Sequence, residues 1–104
     1  MDSAEGINIE WNDFKKTTTQ HFYSCVENSK YADVKLYAEG KFIMAHRIVL
    51  SAASFYFEDL FDAATEDQLV VAVPICYKDL INVVSYAYKG KTIINQSSLL
   101  LNRL

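Results

Sequence analysis

The sequence predicts an α/β fold of the α+β type, in which a small mixed sheet is covered by helices. Two observations support this prediction. Short stretches of alternating apolar and polar residues, typical of strands, are interspersed with stretches in which apolar residues recur at helical spacing. In addition, the 104 residues are 51% hydrophobic and 22% charged, which suits one domain with a single core.

The same two periodicities predict the individual elements. In chain order they are a flexible N-terminus at 1–6, a strand at 7–11, a helix over 12–28, strands at 33–38 and 41–45, two helices between 46 and 61, a strand at 68–75, a helix over 80–88, a strand at 91–94 and a helix at 97–104. The last helix stops on an apolar residue, so the C-terminal helices look truncated.

Turn and cap residues mark several of these boundaries. Asn12 is a good N-cap for the first helix, and Gly90 is a good C-cap for the helix before it. Glu39 and Gly40 predict a two-residue turn, which makes a hairpin of the two strands beside it. The strand at 7–11 is followed directly by a helix, so its backbone could pair with another chain, pair within its own sheet, or fray.

Charge and hydropathy exclude some partners. The formal net charge is −3, and lysines and arginines are scattered among acids, so we expect no direct nucleic-acid binding by this domain. Charges interrupt every apolar stretch before it reaches about 18 residues, so we expect no membrane partner. Two cysteines are too few for a disulfide scaffold, and we interpret them as reduced thiols.

No pattern in the sequence indicates catalysis, a metal or a cofactor. His21 and Cys25 are four positions apart and could face one zinc ion with His46 and Cys76, but the paired-ligand spacing of zinc sites is absent. A G-x-S-x-G elbow and a glycine-rich phosphate loop are also absent. We therefore expect no enzyme; a small enzyme or metal domain is the weaker alternative, which zinc analysis would test.

The stretch FIMAHRIVLSAASFYFEDLF, residues 42–61, contains an arginine within an apolar run. An unpaired buried charge costs several kcal/mol or more. Arg47 must therefore reach water or meet an acid from elsewhere in the chain. We expect His46 beside it to be a core histidine with satisfied ring nitrogens.

Three stretches together resemble a known family. ADVKLYAEGKFIMAHRIVLSAASFYFEDLF, residues 32–61, resembles the BTB/POZ domain signature, with its Asp-Val strand, hairpin, Ala-His-Arg and small-residue run. YAYKGK, residues 86–91, resembles the end of a family helix. INIEWNDF, residues 7–14, resembles the N-terminal stretch of the Tramtrack/Broad-complex group. The resemblance extends over residues 7–104.

The resemblance implies the fold and three sets of site residues. It implies a BTB/POZ domain at 7–104 that forms a strand-exchanged homodimer, and a charged pocket beside the dimer axis formed by Asp33 and Arg47. The implied dimer interface consists of Ile7, Ile9, Trp11, Phe14, Thr18 and Phe22. The implied partner groove is lined by His21, Ser24, Asn28, Ser51, Ala52 and Glu58.

The resemblance also implies the function. We expect a protein–protein interaction module that mediates homodimerisation or higher oligomerisation of a nuclear transcription or chromatin regulator. Its partners would be copies of itself, other BTB proteins and co-regulator proteins. The alternative is a substrate adaptor that recruits a cullin ubiquitin ligase. Domains C-terminal to residue 104 would discriminate the two, since zinc fingers favour transcription and kelch-type repeats favour the ligase.

Overall fold

The computed structural model describes residues 6–92 and confirms the α+β fold. Within this range the chain forms four helices and three strands. In chain order they are α1 (Phe14–Glu27), β1 (Val34–Ala38), β2 (Lys41–Ala45), α2 (Arg47–Ala53), α3 (Phe55–Asp62), β3 (Leu69–Ala72) and α4 (Tyr77–Lys89). Most of the strand predicted at 91–94, and the helix at 97–104, lie outside the described residues.

The three strands form one mixed sheet in the order β2-β1-β3. Strands β1 and β2 pair antiparallel, whereas β1 and β3 pair parallel. The turn between β1 and β2 has both central residues in the left-handed region, with φ of 54° at Glu39 and 76° at Gly40. This backbone matches the twist of a two-residue hairpin, so the predicted turn is confirmed.

The core lies between one face of the sheet and the helices. Alternate residues of each strand point to this face because successive strand side chains point to opposite sides. Full burial of one large aliphatic or aromatic side chain contributes roughly 1.5–3 kcal/mol. The largest fully buried side chains are those of Phe57, Leu36, Leu50, Leu80 and Val34.

Helices α2 and α3 are separate because Ser54 is extended, with φ −152° and ψ 125°. Its N–H donates to the Leu50 carbonyl, and its own carbonyl accepts from Glu58 N–H. One residue therefore ends the first helix and begins the second. The two helices predicted in this part of the chain are confirmed.

Helix α4 ends as predicted and begins with a cap from another element. Gly90 is left-handed, with φ 78°, and donates its N–H to the Tyr86 carbonyl at 2.8 Å. At the other end, Cys76 provides no side-chain cap. Instead the Tyr77 N–H donates to Oε1 of Glu39, in the β1–β2 turn, at 2.7 Å.

Two predictions for the N-terminal part need correction. Asp13, not Asn12, occupies the N-cap of α1, and its side chain makes no capping hydrogen bond. Residues 7–11 are not a strand in the single chain. Alternation predicts an extended segment, but a strand also needs a hydrogen-bonded neighbour, and among the described residues the sheet contains only β2, β1 and β3.

Candidate interaction surface

The N-terminal segment exposes its apolar side chains. Ile7 and Ile9 are 84% and 86% exposed, and Trp11 is also exposed. The Trp11 ring meets Phe14, at the start of α1, edge-on with ring centroids 5.2 Å apart. We call residues 6–11 the arm. Its apolar side chains have no core to enter within the described part of the chain.

Helix α1 continues this apolar surface. Phe14 and Phe22 are exposed and Thr18 is half-buried. The Thr18 hydroxyl donates to the Phe14 carbonyl at 2.6 Å, so this polar group is satisfied within the helix and the methyl group remains available for packing. The six residues of the implied dimer interface together form a surface that we call the arm–α1 face. They are Ile7, Ile9, Trp11, Phe14, Thr18 and Phe22.

The second half of α1 attaches the helix to the domain. Cys25 is buried, and the Tyr23 ring meets Tyr88 of α4 edge-on at 6.5 Å. The Lys89 ammonium lies 4.0 Å from the Tyr23 ring centroid, at cation–π distance. The first half of α1 contributes no buried residue, and its one aromatic side chain, Phe14, lies in solvent.

The structure brings Asp33 and Arg47 together at the start of β1 and α2. Arg47 Nε lies 3.9 Å from Asp33 Oδ2, and Asp33 Oδ1 accepts the backbone N–H of Arg47 at 2.8 Å. The side chain of Arg47 is 20% exposed and that of Asp33 is 46% exposed. Arg47 therefore meets an acid in a partly buried pair, which answers the question raised by residues 42–61.

Arg47 also holds the loop before β3. Its Nη2 donates to the carbonyl oxygens of Glu66 and Asp67 at 2.7 and 2.9 Å, and its Nε donates to the Asp33 carbonyl at 3.0 Å. These contacts tie α2, β1 and the loop together within one chain. The role of the pair beside a dimer axis stays a prediction.

His46 has a partner for each ring nitrogen, which confirms the expectation of a satisfied histidine. Nε2 lies 2.7 Å from the Lys30 carbonyl, and Nδ1 lies 2.7 Å from the Tyr88 hydroxyl. A carbonyl only accepts, so Nε2 carries the proton and, in the neutral ring, Nδ1 accepts. Tyr88 then donates its O–H to Nδ1 and accepts the backbone N–H of His46 at 2.8 Å.

Burial raises the pKa of the Tyr88 hydroxyl far above its ordinary value. The hydrogen bond from the His46 backbone opposes this rise, while the charges of Asp33 and Cys25 add to it. The hydroxyl therefore stays protonated, and can donate to His46, through the pH range in which an ordinary tyrosine loses its proton.

The six predicted groove residues are spread over α1, its C-cap, α2 and α3. An open apolar pocket of about 190 Å³ lies between α1 and α2, and of the six only His21 lines it. The side chains of Ser24 on α1, Asn28 at its C-cap and Ser51 on α2 bond to nearby backbone. Ala52 and Glu58 are exposed on α2 and α3. A groove that unites all six stays a prediction.

Sequence reasoning missed several residues of this pocket. Tyr31, Ile48 and Val49 line it beside Phe22 and Cys25. Tyr31 has a left-handed backbone, with φ 62°, in the loop after α1, and such loop geometry is rarely visible in a sequence. Ile48 is exposed on α2, and nothing in its local sequence marks it as a pocket residue.

The four candidate zinc ligands do not converge. Cys25 Sγ lies 3.7 Å from His21 Nε2, but Cys76 is exposed at the start of α4. Across residues 6–92, no three histidine, cysteine or acidic side chains are placed to hold a metal ion. That range also holds no helix whose length and apolar content would carry it across a bilayer.

The fold and this surface define a small α+β domain whose exposed apolar parts suit contacts with other proteins. A family model of the BTB/POZ domain matches residues 22–102. The chain therefore belongs to the BTB/POZ family, whose domains mediate protein–protein interactions.

Two fruit-fly proteins illustrate the sequence similarity. The Broad-complex core protein of Drosophila melanogaster is 31% identical over 100 residues, which are 95% of this chain and 14% of that protein. Isoforms A/B/D/L of the Longitudinals lacking protein are 33% identical over 100 residues, again 95% of this chain and 13% of theirs. The chain thus spans about one seventh of the length of these curated relatives.

A solved structure supports the fold independently of these two proteins. The BTB domain of zebrafish PATZ1 superposes with a TM-score of 0.77 at 19% identity, over 88% of this chain and 76% of that one. Sequence identity at this level shows a shared fold only.

Proposed function

We propose that this domain mediates self-association, as a homodimer or a higher oligomer, of a nuclear transcription or chromatin regulator, and that it recruits partner proteins to that regulator. Its partners are copies of itself, other BTB proteins and co-regulator proteins. The observation that carries the proposal is the arm–α1 face, where aromatic and aliphatic side chains project into solvent along a segment that has no strand partner within residues 6–92.

The physical reason lies in both the side chains and the backbone. Monomeric proteins rarely expose large contiguous apolar patches, and such patches mark interaction sites. In the arm, residues 6–10 belong to no strand among the described residues, and backbone N–H and C=O groups outside a sheet invite strand addition by another chain. A second copy of the chain would supply both an apolar surface to cover these side chains and a backbone to pair with the arm, because its own arm and α1 carry the same residues. The family membership of the chain supports the same conclusion.

Light scattering over a range of concentrations tests self-association. The monomer mass is 11.9 kDa, so a dimer is expected at about 24 kDa. Deletion of residues 1–11, or Trp11→Ser, should shift the mass towards the monomer while the circular dichroism spectrum is retained. Phe55→Ser, which removes an aromatic side chain that is exposed on α3, is the matched control and should leave the mass unchanged.

Two results would count against the proposal. A folded monomer of the unaltered chain at micromolar concentration would contradict self-association. If the deletion retains the full oligomeric mass, the arm is not part of the interface. The nuclear role is tested separately, by locating a fluorescently tagged full-length protein in the cell.

A further inference from the structure

The sheet has a second face, opposite the core, and this face is largely apolar. In each strand the residues between the core positions point away from the helices. The pairing register places these residues in two rows across the three strands. We call them the outer sheet face, which consists of Lys35, Tyr37, Phe42, Met44, Val70 and Ala72.

None of the six residues of this face belongs to the core cluster. Val70 is 61% exposed, Phe42 and Ala72 are also exposed, and Lys35, Tyr37 and Met44 are half-buried. When one face of a sheet meets solvent, that face normally carries polar side chains. Five apolar side chains out of six therefore depart from the expected pattern, and exposed apolar patches mark sites of interaction.

One cation lies at the centre of this apolar surface. In the register, Lys35 stands between Met44 on one side and Val70 on the other. Its ammonium lies 4.5 Å from the centroid of the Phe42 ring and 5.9 Å from that of Tyr37. Within residues 6–92, no carboxylate forms an ion pair with it. The charge of Lys35 is thus available to an incoming carboxylate.

The size of the face limits what can bind there. Three strands spaced about 4.8 Å apart, each of about five residues at roughly 3.3 Å, give an area on the order of 200 Å². A stable interface between folded proteins needs about 800 Å² per partner. The outer sheet face is therefore too small to hold a second folded copy by itself, but its size matches one short peptide segment.

We propose that the outer sheet face binds a short segment of a partner protein in which aliphatic or aromatic side chains flank one aspartate or glutamate. The apolar side chains pack on Tyr37, Phe42 and Val70, and the carboxylate pairs with the ammonium of Lys35. Removal of water from around this pair by the flanking apolar groups strengthens the attraction. This inference rests on the partner recruitment proposed above, but it uses a surface distinct from the arm–α1 face.

The probe is a display library of random 12-residue peptides, panned against the full 104-residue chain. Selected peptides should combine apolar residues with at least one aspartate or glutamate. Fluorescence anisotropy should show at least tenfold weaker binding to Lys35→Glu and to Val70→Ser. A peptide whose acid is replaced by lysine should recover its affinity for Lys35→Glu, which shows that charge pairing and not misfolding caused the loss.

Lys78→Glu is the matched control. It makes the same charge change at an exposed residue of α4, a helix whose buried side chains pack with the core. Peptide affinity should be unchanged in this variant. Lys35→Gln is the second variant if Lys35→Glu does not fold. Light scattering on the same samples separates the two proposals, since peptide binding should survive deletion of the arm, and oligomer mass should survive changes at Lys35.

Several outcomes would overturn the inference. Recovery of no peptides, or of peptides without acids, would do so, as would equal binding to Lys35→Glu. A soluble paramagnetic agent should broaden the methyl signals of Met44 and Val70 in the free protein. Protection of those signals would show that another part of the chain or a second copy already covers the face. A lower oligomer mass in Lys35→Glu would also assign the face to contacts between copies.

Discussion

Helices α1 and α4 are nearly equal in length but differ in what they bury. Of the 14 residues of α1, only Cys25 is buried, and two phenylalanines on the helix are exposed. The 13 residues of α4 include five that are buried: Asp79, Leu80, Val83, Val84 and Tyr88. Both sequences carry an apolar stripe, so the difference lies in what each stripe meets.

The comparison of α1 with α4 separates a contribution to the free energy of folding from a contribution to the free energy of association. Helix α4 buries its stripe within the chain and so stabilises the fold directly. Helix α1 is attached by its second half and leaves the first half of its stripe in water, where it can contribute only when another surface covers it. Changes in α4 should therefore affect unfolding, and changes in the first half of α1 should affect association.

The largest effect is expected in α4. Leu80→Ala removes a fully buried side chain and leaves a cavity, so the free energy of unfolding should fall by about 2–5 kcal/mol. Denaturant unfolding at fixed protein concentration measures the change, because association makes stability concentration-dependent. A loss well below this range would show that the α4 stripe is less important to the fold than its burial indicates.

The next effect is expected where Arg47 joins α2 to the sheet and the loop. Arg47→Gln removes the guanidinium that donates to three backbone carbonyls, so unfolding free energy should fall by about 1.5–3 kcal/mol.

Asp33→Asn is the control for this substitution, because an amide oxygen can still accept the Arg47 N–H and Asp33 is nearly half exposed. It should cost less than Arg47→Gln. If the two single changes cost the same, and the double change costs no more than either, the ion pair outweighs the carbonyl contacts.

A smaller effect is expected at the contact between α4 and His46. Tyr88→Phe removes the hydroxyl that joins the ring and the backbone of His46, and unfolding free energy at pH 7 should fall by about 0.5–1.5 kcal/mol. Nuclear magnetic resonance of the His46 ring nitrogens should show the loss of the contact at Nδ1. An unchanged ring signal would contradict the hydrogen-bond assignment.

The same variant reveals a pH dependence. The raised pKa of Tyr88 means that, above about pH 10, the unfolded chain releases the proton before the folded one. The contribution of the protonated Tyr88 hydroxyl to the free energy of unfolding is complete below that pH and is lost as the pH rises further. The unfolding free energy of the unaltered chain should thus fall more steeply above about pH 10 than that of Tyr88→Phe.

The smallest effect on the fold is expected in the first half of α1. In a chain lacking residues 1–11, Phe14→Ser should change the unfolding free energy by less than about 0.5 kcal/mol, because Phe14 is exposed and its Trp11 contact is absent. Leu80→Ala in the same shortened chain should keep its full cost. A large loss from Phe14→Ser would remove the distinction between the two helices.

Elements with local signals were predictable from the sequence. The β1–β2 hairpin depends on two adjacent turn residues, and the end of α4 depends on Gly90, so both were found. The parallel pairing of β1 with β3 was not, because nothing close in sequence fixes which distant strand lies alongside. The arm shows the same limit, since alternation predicts an extended backbone but not its partner.

The candidate site followed the same rule. The residues of the arm–α1 face alternate along one short segment or share one helical stripe, so a sequence pattern could group them, and their role as an interface stays a prediction. The contact of His46 with Tyr88 joins residues 42 positions apart, and only the folded chain reveals it. The outer sheet face could have been found, because the strand positions between the predicted core residues carry Tyr37, Phe42 and Val70.

The cap that Glu39 provides to α4 restricts which mutations can be tolerated in this turn. Position 39 has a left-handed backbone, which glycine would adopt with less strain, so the turn alone would favour Glu39→Gly. That change would leave the Tyr77 N–H without its acceptor, and the shorter side chain of Glu39→Asp would not extend as far towards it. The residue that suits the hairpin best is therefore not the one that suits the helix. Among variants selected for stability, position 39 should retain glutamate, and position 40, which is also left-handed, should retain glycine.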